Sequence, residues 1–362
     1  MTKAIKAFLA ASFLATGISA AAADALKIGV AAPVTGAFQA LGHQLVDGAR
    51  VAISKASGAL QADMVTADDQ CTPEGGTAAA NALVAQKVDI VVGFLCSDAL
   101  EAAVPILDEK HIPIITPGVR APTLTEERAA TRPPVFRLQP EPDMEAEAAA
   151  DILGRLWRDK LFAIVDDGTI YGRDLAETVR LDLEQKGLKS VFDDTYRPGL
   201  DNQASLVIRL KRAGATAAFV GGQRDDVAVI GRDAARLDVP LVLAGGEALR
   251  AAPGAVDLEP GTLMIGPPLA EDLPSAAAAD AAINQAGALA EGYAVPAYAA
   301  VEIAEQAAKK AAASGAAPAD VLAKTEFSTA LGPVRFGQNG SRTGNPYQVY
   351  RYDGQHFVKA EN

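Results

Sequence analysis

The 362-residue sequence predicts an α/β protein of two lobes, each a parallel sheet with helices on both faces. Three observations carry that expectation. Short continuous apolar runs alternate with longer amphipathic stretches, the pattern of repeated strand–helix units. The alternation occurs twice in succession, first from Leu26 and again from Leu161. Pro-rich passages between and after the two sets suit segments that carry the chain from one lobe to the other.

In chain order, Leu26–Ala32, Ile90–Leu95 and Ile112–Thr116 read as buried strands of the first set. Leu161–Val165, Ala217–Val220 and Leu241–Ala244 read as those of the second, most of them stopped by Gly, Pro or Asp. Leu45, Ala49, Ala52 and Ile53 fall on one helical face, as do Leu175, Val179 and Leu183. Arg132–Pro142 (RPPVFRLQPEP) reads as a crossover linker, and Gly261–Pro274 as a second crossing that leaves a strand for Pro-rich chain. A long Ala-rich helix is expected near Val295–Ala313. Tyr347–Tyr352 and His356–Lys359, around Asp353-Gly354, carry the signature of a β-hairpin. Open α/β sheets bind ligands beyond the carboxyl ends of their strands, so the strand-to-helix turns are where chemistry is expected.

Composition narrows the function. With 49% hydrophobic and 22% charged residues the chain can bury sizeable cores and is not a disordered one. Lys and Arg number 33 against 45 Asp and Glu, the wrong balance for a partner that binds nucleic-acid phosphates. The N-terminus reads as a secretory signal over residues 1–23: Lys3 and Lys6 are basic, Ala7 to Ile18 apolar, and Ser19 to Ala23 small, with cleavage expected after Ala23. Cleavage leaves 31 basic and 45 acidic residues, a net charge of −14. In an exported chain the only cysteines, Cys71 and Cys96, are most simply a disulfide.

No motif of catalysis stands out: the chain has no G-x-S-x-G, P-loop, H-E-x-x-H or G-x-G-x-x-G sequence. Three His and two Cys do not make a multi-ligand zinc centre, and neither a metal nor an organic cofactor is expected. Asp68-Asp69 and Asp166-Asp167 sit at strand ends, where capping and turn formation are their expected work. His43 and His111 stand alone and are expected at the solvated surface. The turns point instead to binding. Ser97 and Asp98 are natural N-caps for a helix over Ala99–Lys110, and a helix N-terminus can receive a carboxylate. Pro117-Gly118-Val119-Arg120 ends one strand, Gly221-Gly222-Gln223-Arg224 a second and Gly245-Gly246-Glu247 a third.

At these turns the chain resembles the periplasmic leucine/isoleucine/valine-binding proteins, the solute receptors of ABC importers. The resemblance runs through Ile28–Ala49 (IGVAAPVTGAFQALGHQLVDGA), Asp68–Cys71, Gly93–Ser97 (GFLCS), Thr116–Thr125 (TPGVRAPTLT), Ile164–Gly172 (IVDDGTIYG), Gly221-Gly222, Gly245–Glu247 and Tyr298–Val301 (YAAV), nearly the whole mature chain in the expected order. It implies a type I periplasmic binding fold of two Rossmann-like lobes with three crossing segments and hinge closure around one small ligand. Lobe 1 is then 24–139 plus 267–337, and lobe 2 is 140–266 plus 338–362. The resemblance places the ligand's α-carboxylate on Ser97 and the Pro-Gly turn. The α-ammonium falls on the backbone near Val119 and on Glu247, and Tyr171 closes from the second lobe. Leu41, Leu95, the Cys71–Cys96 bridge and Tyr293 take the side-chain pocket.

Three positions depart from the family pattern. Arg120 stands where a threonine is usual, and either binds an anionic group of the ligand or pairs with an acid at the cleft rim. Gln223 stands where an aromatic often follows the second-lobe Gly-Gly, and Leu41 where a large aromatic is common. The expected protein is a periplasmic, monomeric solute-binding protein that captures a small amino acid and delivers it to an inner-membrane permease. A sensor of the same fold, a receptor for a non-amino carboxylate and a secreted enzyme with a carboxylate pair are the alternatives.

Overall fold

The computed structural model describes residues 25–55, 62–121 and 135–360. The expected signal segment, its cleavage point and Pro122–Pro134 lie outside the described residues. Five strands form the first sheet, in the order β2-β1-β3-β4-β5: β1 Leu26–Ala32, β2 Ala62–Asp68, β3 Ile90–Gly93, β4 Ile114–Thr116 and β5 Val135–Arg137. Every pairing is parallel, and the strand ends are level, with Ala31 opposite Gly93 and Thr116 opposite Arg137. One face packs on α1 (Gln39–Lys55) and α9 (Ala294–Ser314), the other on α2 (Pro73–Ala85) and α3 (Ser97–Glu109). Aliphatic side chains fill both faces, which is why the inner strands β1, β3 and β4 read as continuous apolar runs rather than alternating ones.

The second sheet has seven strands, in the order β14-β13-β10-β9-β8-β6-β7. Its parallel part is β6 Phe162–Asp166, β7 Phe192–Thr195, β8 Ala217–Gly221, β9 Val242–Gly245 and β10 Leu263–Gly266. The expected C-terminal hairpin, β13 Gln348–Tyr352 with β14 Phe357–Lys359, adds its antiparallel edge. Helices α4 (Asp143–Leu156) and α5 (Ile170–Gln185) cover one face, α6 (Ala204–Ala213) and α7 (Arg224–Arg236) the other. Helices α8 (Ala277–Gln285) and α10 (Pro318–Lys324), with a two-stranded ribbon of β11 Glu326–Thr329 and β12 Gly332–Arg335, return to the first lobe, where Phe327 and Phe336 are buried with α9. The chain therefore passes between sheets three times: after β5, after β10 and before β13.

Several boundaries differ from expectation for physical reasons. Arg132–Pro142 is not only a linker, because Val135–Arg137 forms the edge strand β5; an edge strand pairs on one side only and tolerates Pro-rich flanks. The run Ile90–Leu95 stops at Gly93, whose φ of 142° leads into Phe94 at 62°. A Cβ on Gly93 would lie 2.0 Å from the Ala31 carbonyl oxygen, so only glycine lets the chain turn this close to β1. Ser97 and Asp98 lie inside α3 rather than at its cap: the cap is Cys96, whose side chain makes no capping hydrogen bond.

Candidate ligand-binding cleft

The turns beyond the strand ends are tied down by the residues that the sequence singles out. Asp68 accepts from the Val34 amide at 3.0 Å and the Thr35 hydroxyl at 2.5 Å, joining the turns after β1 and β2. Asp69 is fully buried and accepts from the Cys71 amide; burial pushes its carboxyl up to about 6. Asp167 accepts from the amide and hydroxyl of Thr169, the N-cap of α5, and Asp166 accepts from the Gly168 amide. Both acidic pairs thus build turns. Cys71 and Cys96 form the expected disulfide, which fastens the turn after β2 to the start of α3. His43 and His111 are exposed. Among the described residues no group of three or more His, Cys, Asp or Glu side chains could hold a metal ion, and no helix is long and apolar enough to cross a membrane.

The turn after β4 is built around Thr116. Its hydroxyl donates to the Phe94 carbonyl at 3.0 Å and accepts from the Val119 amide at 3.2 Å. Val119 is therefore buried, at 2% exposure, with its N–H already engaged. Arg120 then projects across the cleft, and its two terminal nitrogens grip the two oxygens of Glu247 at 2.5 and 3.2 Å. Tyr347, from the third crossing, donates to Glu247 at 3.1 Å and accepts from Arg120 at 3.0 Å. Of the two uses open to Arg120, the structure displays the ion pair with an acid at the cleft rim. Burial opposes the guanidinium charge, but its hydrogen bonds to Glu247 and that carboxylate's charge outweigh it and raise the Arg120 pKa above its usual range.

Beneath this pair lies a carboxylate that the sequence reading passed over. Glu145 is 4% exposed, in the first turn of α4. One oxygen accepts from both the Glu247 amide, at 2.6 Å, and the Tyr171 hydroxyl, at 3.0 Å. Gly246 makes the approach possible: a Cβ there would lie 2.1 Å from that oxygen. Burial, then the charge of Glu247, push the Glu145 carboxyl up to about 7. Burial and the Glu145 charge hold the Tyr171 phenol above its ordinary value as well. A second missed residue is Arg137 of β5, fully buried, which donates to the carbonyls of Arg120 and Ala121, to Glu141 and to Ser341.

Arg120, Tyr171 and Glu247 line one cavity of about 180 Å³ together with Glu145, between the turn after β4 and the N-terminal ends of α4 and α5. The other expected residues do not line it. Ser97 opens α3, and Leu95 packs against the core of lobe 1. Leu41 is exposed on α1, one turn from Gln44, which accepts from the Tyr293 amide at the start of α9. Gln223 is exposed at the start of α7. A roomier cavity of about 380 Å³ lies against the far ends of β1 and β3, but Asp89 is the one charged residue in its lining, which is half alanine and offers little to orient a zwitterion.

The arrangement offers a cation from one sheet and an anion from the other, facing each other at strand ends. Comparisons with known proteins bear on what such a cleft serves. A protein of Rhizobium johnstonii called Leu/Ile/Val-binding protein BraC3 is 31% identical over 347 residues, 93% of this chain and 94% of that one. A Pseudomonas aeruginosa leucine-, isoleucine-, valine-, threonine- and alanine-binding protein is 28% identical over 341 residues, 91% of each chain. The structure of a candidate branched-chain amino acid ABC transporter from Rhodospirillum rubrum superposes with a TM-score of 0.79 at 21% identity, covering 93% of this chain and all of that one, which speaks for the fold. The family profile described as periplasmic binding protein matches residues 25–356, from the first strand to the C-terminal hairpin, and by that match the chain belongs to the periplasmic binding protein family.

Proposed function

We propose that this protein is exported to the periplasm, captures a small amino acid between its lobes and delivers it to an ABC permease in the inner membrane. The observation that carries the reading is the cross-cleft placement of Arg120 and Glu247, a guanidinium from one lobe and a carboxylate from the other. A free amino acid presents the complementary two charges on adjacent groups. Similarity to relatives named for leucine, isoleucine, valine, threonine and alanine supports the same ligand class. An unpaired charge in a desolvated cleft costs several kcal/mol, so a ligand that lacks either charge is disfavoured.

The lobes that close on the ligand are 24–139 with 267–337 and 140–266 with 338–362. Ser97 and the Pro-Gly turn lie on the carboxylate side, and Tyr171 closes from the second lobe. Leu41, Leu95, Gln223 and Tyr293 border the side-chain pocket. The protein acts as a monomeric receptor and not as an enzyme, since the acidic pairs that could serve catalysis are spent on turns. Closure favours the bound form only through the ligand's better contacts with the closed state, and the permease reads that state.

A thermal-shift screen of the mature chain against the twenty amino acids and a set of simple carboxylates tests the reading. A ligand at 100 times its Kd adds about 2.7 kcal/mol of stability, a clear rise in Tm. The expected result is a shift with one or more neutral amino acids. A shift with carboxylates alone would replace the ligand class.

A further inference from the structure

Of the turns singled out in the sequence, the one that ends in Gln223-Arg224 contributes nothing to the cleft cavity. Arg224 lines a separate and larger cavity of about 550 Å³ beside the second sheet. Its walls are the start of α7, the one-turn 3-10 helix Glu247–Arg250 with the chain that follows it, the second crossing and the C-terminal hairpin. Arg250 lines it too, and each guanidinium lies over a tyrosine ring. Arg224 is over Tyr352 and Arg250 over Tyr350, each 5.5 Å from the ring centroid. Neither arginine has an acid to balance it. Arg224 is only 5% exposed; one terminal nitrogen donates to the Leu249 carbonyl at 2.9 Å, and its Nε has no hydrogen-bond partner. Among the described residues no carboxylate forms an ion pair with Arg224 or Arg250. Asp272, the one carboxylate in the lining, accepts from the Leu269 amide at 3.2 Å, and Asp225 lies against Gly254. Two cations thus share a cavity with one acid, in a chain whose net charge is −12.

We propose that this cavity is a second binding site, which takes an organic dianion, a phosphomonoester or a dicarboxylate, on Arg224 and Arg250. A charge drawn out of water is costly until it is paired, and Arg224 lacks a pair within the chain. Stacking on a ring engages the face of a guanidinium and leaves its N–H donors for an anion. Those donors match carboxylate and phosphate oxygens, and a cavity whose charge is mostly of one sign draws in ions of the other. Two negative charges on oxygen are what both ligand types share, and two guanidiniums can divide them. Pro253, Leu269 and Phe357 give the lining an apolar side suited to an organic body, which inorganic phosphate lacks. A neutral solute leaves both cations unbalanced, and a zwitterion brings an ammonium towards them. The site therefore selects a different charge from the cleft, and the inference does not depend on which ligand the cleft takes.

Isothermal titration of the mature chain tests this with phenyl phosphate, phthalate, inorganic phosphate and benzyl alcohol, at about pH 7.5, where a phosphomonoester carries nearly two charges. Wild type is expected to bind phenyl phosphate or phthalate, more tightly than inorganic phosphate, and not to bind benzyl alcohol. Which of the two binds better identifies the acidic group. Arg250 is only half-buried, so Arg250→Gln is the variant of choice, checked for an unchanged circular dichroism spectrum. It should weaken the dianion about 10- to 100-fold, the usual worth of charge-assisted hydrogen bonds. Arg120→Gln, which removes the cation of the cleft, should leave that affinity within about twofold. A wild type that binds neither dianion, or an Arg250→Gln protein that binds as well as wild type, would overturn the proposal. Loss on Arg120→Gln in place of Arg250→Gln would put the anion in the cleft and overturn it too. A crystal of the wild type grown with the dianion decides without a variant: it is expected between Arg224 and Arg250, and its presence elsewhere alone would refute the site.

Discussion

Two arginines seventeen residues apart put the same guanidinium to opposite uses. Arg137 is wholly enclosed, and its partners belong to three stretches of chain: the Arg120–Ala121 turn, Glu141 in the first crossing and Ser341 near the third. Arg120 is one-third exposed and bonds across the cleft to Glu247 and Tyr347. A charge taken fully out of water is tolerated only when its donors are satisfied, and once so held it is not exchangeable. A pair that is a quarter to a third exposed loses less on parting than an enclosed one, because water reaches both partners. One arginine thus sets the frame where the chain crosses, and the other holds a contact at the cleft rim that solvent can reach.

That contrast makes predictions that diverge in size. Arg137→Ala should lose about 3–5 kcal/mol of stability in urea unfolding, since it leaves Glu141 and two carbonyls without their partner; a loss below about 1 kcal/mol would break the comparison. Replacing both Cys71 and Cys96 by Ser, which cuts a loop with a sequence separation of 25, should cost about 3–4 kcal/mol by the same measurement. Glu145 gives a pH effect. Its folded carboxyl, at about 7, holds a proton to higher pH than the ordinary 4.5 of an unfolded chain. The folded state then carries the extra proton between those values, so this group's contribution falls as pH rises from 4.5 to 7, by as much as about 3 kcal/mol. Glu145→Gln should flatten that part of the stability–pH curve; an unchanged slope would assign it elsewhere. Smallest of all, Arg120→Ala should cost about 1–2 kcal/mol, less than Arg137→Ala, because water can reach the Glu247 carboxylate it leaves behind.

Much of the frame was legible in the residues. The strands from Leu26, Ile90, Leu161, Ala217 and Leu241 announce themselves because burial on both faces makes them continuously apolar. The edge strands do not. Phe192–Thr195 (FDDT) alternates partly buried with exposed positions and carries two acids, so it has no apolar run to read. Val135–Arg137 hides in a Pro-rich segment. In the cleft, Arg120 and Glu247 each stood out at a strand-end turn, yet their pairing spans 127 positions and no local pattern reports it. Glu145 sits in DMEAEAAAD, where an acid near a helix start is ordinary. Its one signal was indirect: the second glycine of Gly245-Gly246 leaves room for something, and the structure shows that Glu145 fills it. Tyr347 read as part of a hairpin, and its hydroxyl reaches Glu247 only because the third crossing passes beside the cleft.

The central claim, that the cross-cleft pair is the apparatus of recognition, is tested most directly by a crystal structure of the mature chain with the amino acid that raises its Tm most. The account predicts the ligand carboxylate within hydrogen-bond reach of the Arg120 guanidinium and the ammonium on Glu247, while Arg137 keeps its bonds. A bound amino acid that touches neither Arg120 nor Glu247 would contradict it.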